Sequence, residues 1–305
     1  MEFLKLLEGI RSPALDAFFS MVTILGEEAF FILVGLIFYW CINKKNGYYL
    51  LFVGLFGTVA NQFLKITCRI PRPWVQDPEF TIVESAREAA TGYSFPSGHT
   101  QSAVGTFGSV ALVRREKWLR AVCIALCLLV PLSRMYLGVH TPLDVGVALL
   151  SGIALVLVFR PLLIWASEKP CRMHLIFAAV SVLCVLYVIY VNCWSFPADI
   201  DAANYLSAQK NGAKMLGCFI GLWLAYFVDS RWVHFEEKAS FPGQVLKLVV
   251  GLVPVLLIKS LLKTPLISVC GNDVLADGVR YFLIAFFAGG IWPMTFPFFA
   301  RIGKK

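Results

Sequence analysis

The fold class the sequence predicts is all-α, a polytopic bundle of transmembrane helices, and three observations predict it. Hydrophobic residues make up 58% of the 305-residue chain and charged residues only 15%, with a mean hydropathy of +0.73. That composition excludes a disordered chain and argues against an ordinary soluble enzyme. The apolar residues gather into runs close to the ~20 residues a helix needs to cross a bilayer. Lysine and arginine fall between those runs, unequally on the two sides.

Residues 12–25 come first. Pro13 stands near a helix start and Leu15, Phe18, Phe19 and Val22 share one face, so this segment predicts an amphipathic helix lying in the interface. Nine runs predict spans at roughly 27–42, 47–67, 98–113, 118–138, 142–163, 173–194, 213–233, 243–267 and 278–299. The first is short. Lys44, Lys45, Arg114, Arg115, Lys117, Arg120, Arg160, Lys169, Arg172, Arg231, Lys238, Lys247, Arg301, Lys304 and Lys305 fall on one side, fifteen of the 27 basic residues. The positive-inside rule places that side in the cytoplasm and the 71–96 loop outside. The net charge of +8 is then read as basic anchors plus the cations of a site, with no nucleic-acid partner. Cys41, Cys123, Cys127, Cys184, Cys193 and Cys218 lie in or at the ends of apolar stretches and read as small hydrophobes; Cys68 lies nearer polar residues. No cleavable signal peptide is evident.

Three segments at the outer ends of spans two to five carry the chemistry: Lys65 to Pro73, Ser94 to Thr100, and Ser133 to Asp144. Connectivity makes them meet, because spans two and three share one loop, spans four and five share another, and both loops lie on one membrane face. Lys65, Arg72 and Arg134 are three converging cations, costly near a bilayer unless an anion joins them, and arginine's planar fork suits phosphate oxygens. Ser97 and Gly98 open a helix whose free N–H groups favour an anion. His140 and Asp144 are four residues apart, so the carboxylate is placed to fix the imidazole tautomer and leave the other ring nitrogen free to attack. His99 supplies a second imidazole suited to protonate a leaving oxygen. No metal-ligand cluster is visible, so no cofactor is expected.

These residues form Lys-x6-Arg-Pro, Pro-Ser-Gly-His and Ser-Arg-x5-His-x3-Asp, and the sequence thereby resembles the type 2 phosphatidic acid phosphatase superfamily over about residues 12–165. The resemblance implies a six-helix catalytic core over 1–168, made of one interfacial helix plus spans. A C-terminal extension over 169–305 of three to four further spans would then have no assigned role. It implies a metal-independent hydrolase of a lipid phosphate or diphosphate held in the bilayer. His140 would be the nucleophile that forms a phosphohistidine, Asp144 its orienting partner and His99 the acid and later the base. Lys65, Arg72, Ser97, Gly98 and Arg134 would be the phosphate cradle. The stretch Leu25-Gly26-Glu27-Glu28-Ala29-Phe30-Phe31 looks like the sphingosine-phosphate phosphatase and dolichyl-diphosphatase branches. Those enzymes commonly carry Pro-Ser-Thr-His or Pro-Ser-Ser-His where this chain has Pro-Ser-Gly-His. That form, with the absence of an N-x-S/T sequon, leans toward a bacterial cytoplasmic membrane with the site facing outward. A phosphotransferase with the same intermediate, and a lipid or phosphate transporter with the same anion pocket, are the alternatives. Undecaprenyl diphosphate, phosphatidic acid, phosphatidylglycerophosphate and sphingoid-base phosphate all stay open as substrates.

Other residues have plainer readings. Arg69 lies outside the motif and reads as an interfacial anchor. Glu27 and Glu28 either hold Lys65 or Arg72 in place or mark the interface. Tyr93 is a possible support for the site; with Trp74 and Phe95 it either lines a lipid entry or belongs to an aromatic belt. Lys259 and Lys263 read as snorkelling residues, with headgroup binding as the second reading. Asp77, Glu79, Glu84 and Glu88 are expected to be solvated, and Asp229 to pair with Arg231 or face water.

Overall fold

A computed structural model describes residues 1–303. Among them there is no strand. The helices are α1 (Glu2–Gly9), α2 (Pro13–Ile24), α3 (Glu28–Ile37), α4 (Lys44–Cys68), α5 (Pro73–Gln76), α6 (Gly98–Ala103), α7 (Ser109–Val113), α8 (Lys117–Tyr136), α9 (Pro142–Ala166), α10 (Pro170–Cys193), α11 (Ala202–Val228), α12 (Phe241–Leu261), α13 (Lys263–Cys270), α14 (Asp273–Phe286) and α15 (Phe296–Phe299). Wide π turns extend α3 through Phe38–Ile42 and join α6 to α7 through Val104–Gly108.

This is an integral membrane protein. Seven segments are long and apolar enough to cross a bilayer, and α2 with α3, bent by 49°, makes an eighth if the pair is one broken span. Two of the nine expected spans therefore differ. The 98–113 run is helical from Gly98 to Val113 and then stops at Arg114, whose backbone is extended. At 1.5 Å per residue it reaches about 24 Å, short of a ~30 Å hydrocarbon core. The 27–42 run stops at extended Asn43 and is shorter still. The helix expected over residues 12–25 forms as Pro13–Ile24 and divides its apolar residues between packing and exposure. Val22 and Thr23 are buried and Phe19 lies 4.3 Å from the Tyr136 ring, while Leu15 and Phe18 stay exposed.

The chain divides into two units. The first comprises residues 1–35, 49–160 and 196–208. Helix α4 ends where Arg69 adopts a left-handed φ of +49° and two prolines follow, so the chain leaves the helix directly after Lys65 and Cys68. Ser97 caps α6 by accepting from Thr100 N–H. Helix α1, absent from the sequence reading, buries Leu4 against Phe80 and Ile82. Of the loop acids expected to be solvated, Glu79, Glu84 and Glu88 are exposed, Glu84 in a surface pair with Arg87 at 2.7 Å, whereas Asp77 is half-buried and pairs with Lys5 at 2.8 Å.

The second unit comprises residues 36–48, 161–195 and 209–305. Trp40 donates to Ala288 O at 2.9 Å and Tyr39 to Gly289 O at 2.9 Å. Asp229 is buried and pairs with Lys44 at 2.7 Å while accepting from Phe235 N–H, rather than meeting Arg231 or water. A carboxylate this far from solvent needs such a partner. Cys184 and Cys218 are buried as expected, whereas Cys193 at the end of α10 is exposed.

Candidate active site

The site lies within the first unit, where α4, the 70–97 loop, α6, α8 and the turn before α9 meet. Lys65, Arg72, Ser97, Arg134, His140 and Asp144 are all buried; Gly98 and His99 are half-buried at the start of α6. Each has a local reason to be there. Lys65 sits in the last turn of α4 and Arg134 in the last turn of α8, where cations complement the negative helix end. Gly138 takes a φ of +81°, a conformation an L-residue resists, and turns the chain out of α8 toward His140. Asp144 lies in the first turn of α9.

Arg72 uses its whole fork. Its Nε donates to Gly92 O at 3.1 Å, its Nη2 to Thr91 O at 2.7 Å, and its Nη1 to Val139 O at 3.0 Å and His140 Nε2 at 2.9 Å. A guanidinium only donates, so Nε2 of His140 accepts and the ring proton sits on Nδ1. That nitrogen is 3.5 Å from Asp144 Oδ2, beyond a hydrogen bond and within ion-pair range. Oδ2 already accepts from Ser94 Oγ at 2.6 Å and Thr141 N at 2.8 Å, while Oδ1 of Asp144 and Nδ1 of His140 lack a partner. Burial, together with Arg72, Lys65 and Arg134, holds the His140 imidazole well below its ordinary pKa, so the ring stays neutral.

Lys65 donates to the carbonyls of Tyr93 and Ser94. Tyr93 thus contributes its backbone oxygen. Arg134 gives Nη1 to Thr23 Oγ1 at 2.7 Å and keeps Nε and Nη2 unpartnered. His99 Nε2 is also unpartnered, and His99 lies close enough to His140 to act on it electrostatically. Three cations thus face one carboxylate inside the cluster, an imbalance that an anion of more than one charge removes. Glu27 acts electrostatically on Arg134, rather than on the Lys65 or Arg72 considered for it. Glu28 begins α3, half-buried. Trp74 lies against both Arg72 and Arg87, at 5.9 and 5.2 Å from ring centre to guanidinium carbon, and Arg69 reaches the Phe196 ring. Among the described residues no three His, Cys, Asp or Glu side chains come together so as to hold a metal ion.

Several supporting residues escaped the sequence reading. Thr23 stands 111 positions from Arg134 and no local pattern links them. Asn61 donates to Gln101 Oε1 at 2.7 Å and to Pro96 O at 3.4 Å, tying α4 to the start of α6. A usable signal existed: both are polar residues inside apolar runs, four before Lys65 and two after His99. Gly26 is needed for space, since a Cβ there would lie 2.8 Å from His99 O and 3.0 Å from His99 Cβ.

Two family models match the chain. The family model described as the PAP2 superfamily matches residues 46–168, and that described as the PAP2 superfamily phosphatase, transmembrane extension, matches 213–304. The chain belongs to the PAP2 superfamily. It is 31% identical over 164 residues to a probable sphingosine-1-phosphate phosphatase of Dictyostelium discoideum, covering 50% of this chain and 39% of that protein. It is 24% identical over 286 residues to a dihydrosphingosine 1-phosphate phosphatase of Schizosaccharomyces pombe, covering 87% and 66%. An undecaprenyl-diphosphatase of Bacillus subtilis is 31% identical over 103 residues, covering 34% and 50%. The chain thus spans less than two thirds of the length of each of these relatives. No solved structure matches it.

Proposed function

We propose that the chain hydrolyses the phosphate ester of a bilayer lipid through a phosphohistidine. The observation that carries this reading is the set of three buried cations around a neutral His140 whose Nε2 is held ready as an acceptor by Arg72. The lipid tail stays in the bilayer and the phosphate enters the cluster. Arg72 and Arg134 take its oxygens, with the N–H groups at the start of α6 beside them. Arg72 Nη1 turns from Nε2 of His140 to a phosphate oxygen, and the lone pair thus freed on Nε2 attacks phosphorus in line. The bond from phosphorus to the lipid oxygen breaks, and His99, which takes up a proton from water when the phosphate dianion offsets the surrounding cations, gives that oxygen its proton. Asp144 stabilises the imidazolium through Nδ1. Water, losing a proton to His99, then attacks the phosphohistidine, which releases phosphate and restores His140. Positioning and charge stabilisation supply the rate, as is general for phosphoryl transfer.

The relatives support an order among substrate classes. The sphingoid-phosphate phosphatase of S. pombe matches 87% of this chain and the undecaprenyl-diphosphatase 34%. The reading therefore puts a sphingoid-base phosphate first and a polyprenyl diphosphate second. The charge bias of the loops supports a site on the extracytoplasmic side. Those relatives include eukaryotic and bacterial proteins, so family membership leaves the bacterial membrane favoured by the Pro-Ser-Gly-His form as a sequence expectation.

A lipid-phosphate panel assayed with the purified full chain tests the proposal. Free phosphate is the expected product, with vanadate inhibiting and EDTA without effect. His140→Ala should release none. Phosphate release by that variant at the normal rate removes the assignment, and a new phosphoester in place of free phosphate makes the chain a phosphotransferase.

A further inference from the structure

We propose that the second unit carries an anion-binding site of its own, for the phosphodiester headgroup of an anionic lipid at the bilayer boundary. Its residues come from α11, the junction of α12 with α13, and α14. Lys210 pairs with Asp273, and Lys214 with Asp277 at 3.7 Å. Both steps advance four residues along each helix, so α11 and α14 run parallel here with their charges as successive rungs. Arg280 pairs with Asp277 and donates Nη1 to Lys259 O at 3.0 Å, which brings in the end of α12. Lys263 acts electrostatically on Asp273.

Four cations, Lys210, Lys214, Lys263 and Arg280, thus surround two carboxylates. A snorkelling lysine reaches singly toward water. Here Lys210 and Lys214 turn inward onto acids, with side chains only 23% and 21% exposed. Arg280 is 7% exposed, and its Nε lacks a partner. Asp273 Oδ1 is also buried without one. An unpaired donor beside surplus positive charge suits a phosphate oxygen, and the unpaired acceptor suits a headgroup hydroxyl. Depth fits as well. Helix α11 has 27 residues, about 40 Å, against a ~30 Å hydrocarbon core. Its first turns are its polar ones, so the surplus of about 10 Å covers them and leaves Lys210 at the boundary and Lys214 one turn deeper, each within side-chain reach of headgroup level.

Native mass spectrometry on the full chain taken from phosphatidylcholine vesicles containing phosphatidylglycerol tests this. Phosphatidylglycerol is a diester and offers no terminal phosphate, so the result is independent of the phosphatase reading. The wild type is expected to retain phosphatidylglycerol. The K210Q/K214Q/K263Q variant should lose at least about tenfold in retention, and K210R/K214R/K263R should keep it, both melting like the wild type. Equal retention in the glutamine variant, or equal retention of phosphatidylcholine, overturns the site. Should inorganic phosphate displace the lipid and bind alone to detergent-solubilised protein, the ligand is a free anion and the headgroup assignment falls.

Discussion

Arg72 shows how much one side chain settles. Its fork ties three carbonyls of the 91–139 region to the His140 ring, and no lysine can make those bonds together, because an ammonium is a compact point charge. Arg72→Lys should therefore lower kcat/KM about ten- to a hundredfold, the cost of one or two charged hydrogen bonds, as steady-state kinetics will read. Ser94 acts through another residue. Its hydroxyl holds Asp144 Oδ2, so Ser94→Ala should lower kcat with little change in KM, while Ser94→Thr restores it in part. The pH dependence has a definite sign. In the proposed mechanism His140 attacks only when neutral, and burial with the neighbouring cations depresses its pKa. Activity is present above that depressed value and lost as pH falls through it. The acid limb of kcat/KM, corrected for the ionisation of the substrate, should thus lie below the ordinary histidine value of about 6.5. A midpoint at or above that value contradicts the proposed protonation state.

At the scale of elements, the machinery depends on how closely α4, α6 and the α2–α3 bend approach one another. Asn61 is the tie between α4 and α6. Removing it leaves Gln101 Oε1 buried without a donor, so Asn61→Ala should cost about 1–3 kcal/mol of stability and loosen His99, visible together in thermal melts and in kcat. Gly26→Ala presses a methyl into His99 O and Cβ, and kcat should fall without loss of expression. These contacts mark the limit of sequence reading. The meeting of Lys65, Arg72, Ser97, His99, Arg134, His140 and Asp144 was legible because each motif lies within one short segment and connectivity brings the segments to one face. The ties between segments were not. Thr23 to Arg134, Asn61 to Gln101 and Lys44 to Asp229 join positions 111, 40 and 185 residues apart, and only the packed helices choose such partners. The two short runs fall below spanning length for a related reason: hydropathy counts apolar residues, whereas length is set by where Asn43 and Arg114 leave the helix.

For the whole molecule, the open question is which side of the membrane the site faces, and native thiols supply the reporters. Cys68 is exposed at the end of α4, three residues after Lys65 and on the face where the motif loops lie. Cys171 is exposed in the first turn of α10, between Lys169 and Arg172 in a loop that the charge bias assigns to the cytoplasm. The runs at 98–113, 118–138 and 142–163 separate the two, an odd number of crossings, so the thiols fall on opposite sides if each run crosses once. With variants that keep one thiol each, a membrane-impermeant maleimide added to intact cells should label Cys68 at once. Cys171 should react only after permeabilisation. The reverse order would turn the site toward the cytoplasm and leave the catalytic geometry intact, while equal labelling from one side would mean that the short 98–113 helix enters and leaves by the same face. That helix reaches only about 24 Å, but Ser97 N–H donates to Asp144 O, so its start and the turn after α8 share one face and re-entry would part them. The loop charge opposes re-entry too: Arg114 and Arg115 directly follow the helix end, and re-entry would carry both guanidinium groups to the outer face against the positive-inside bias.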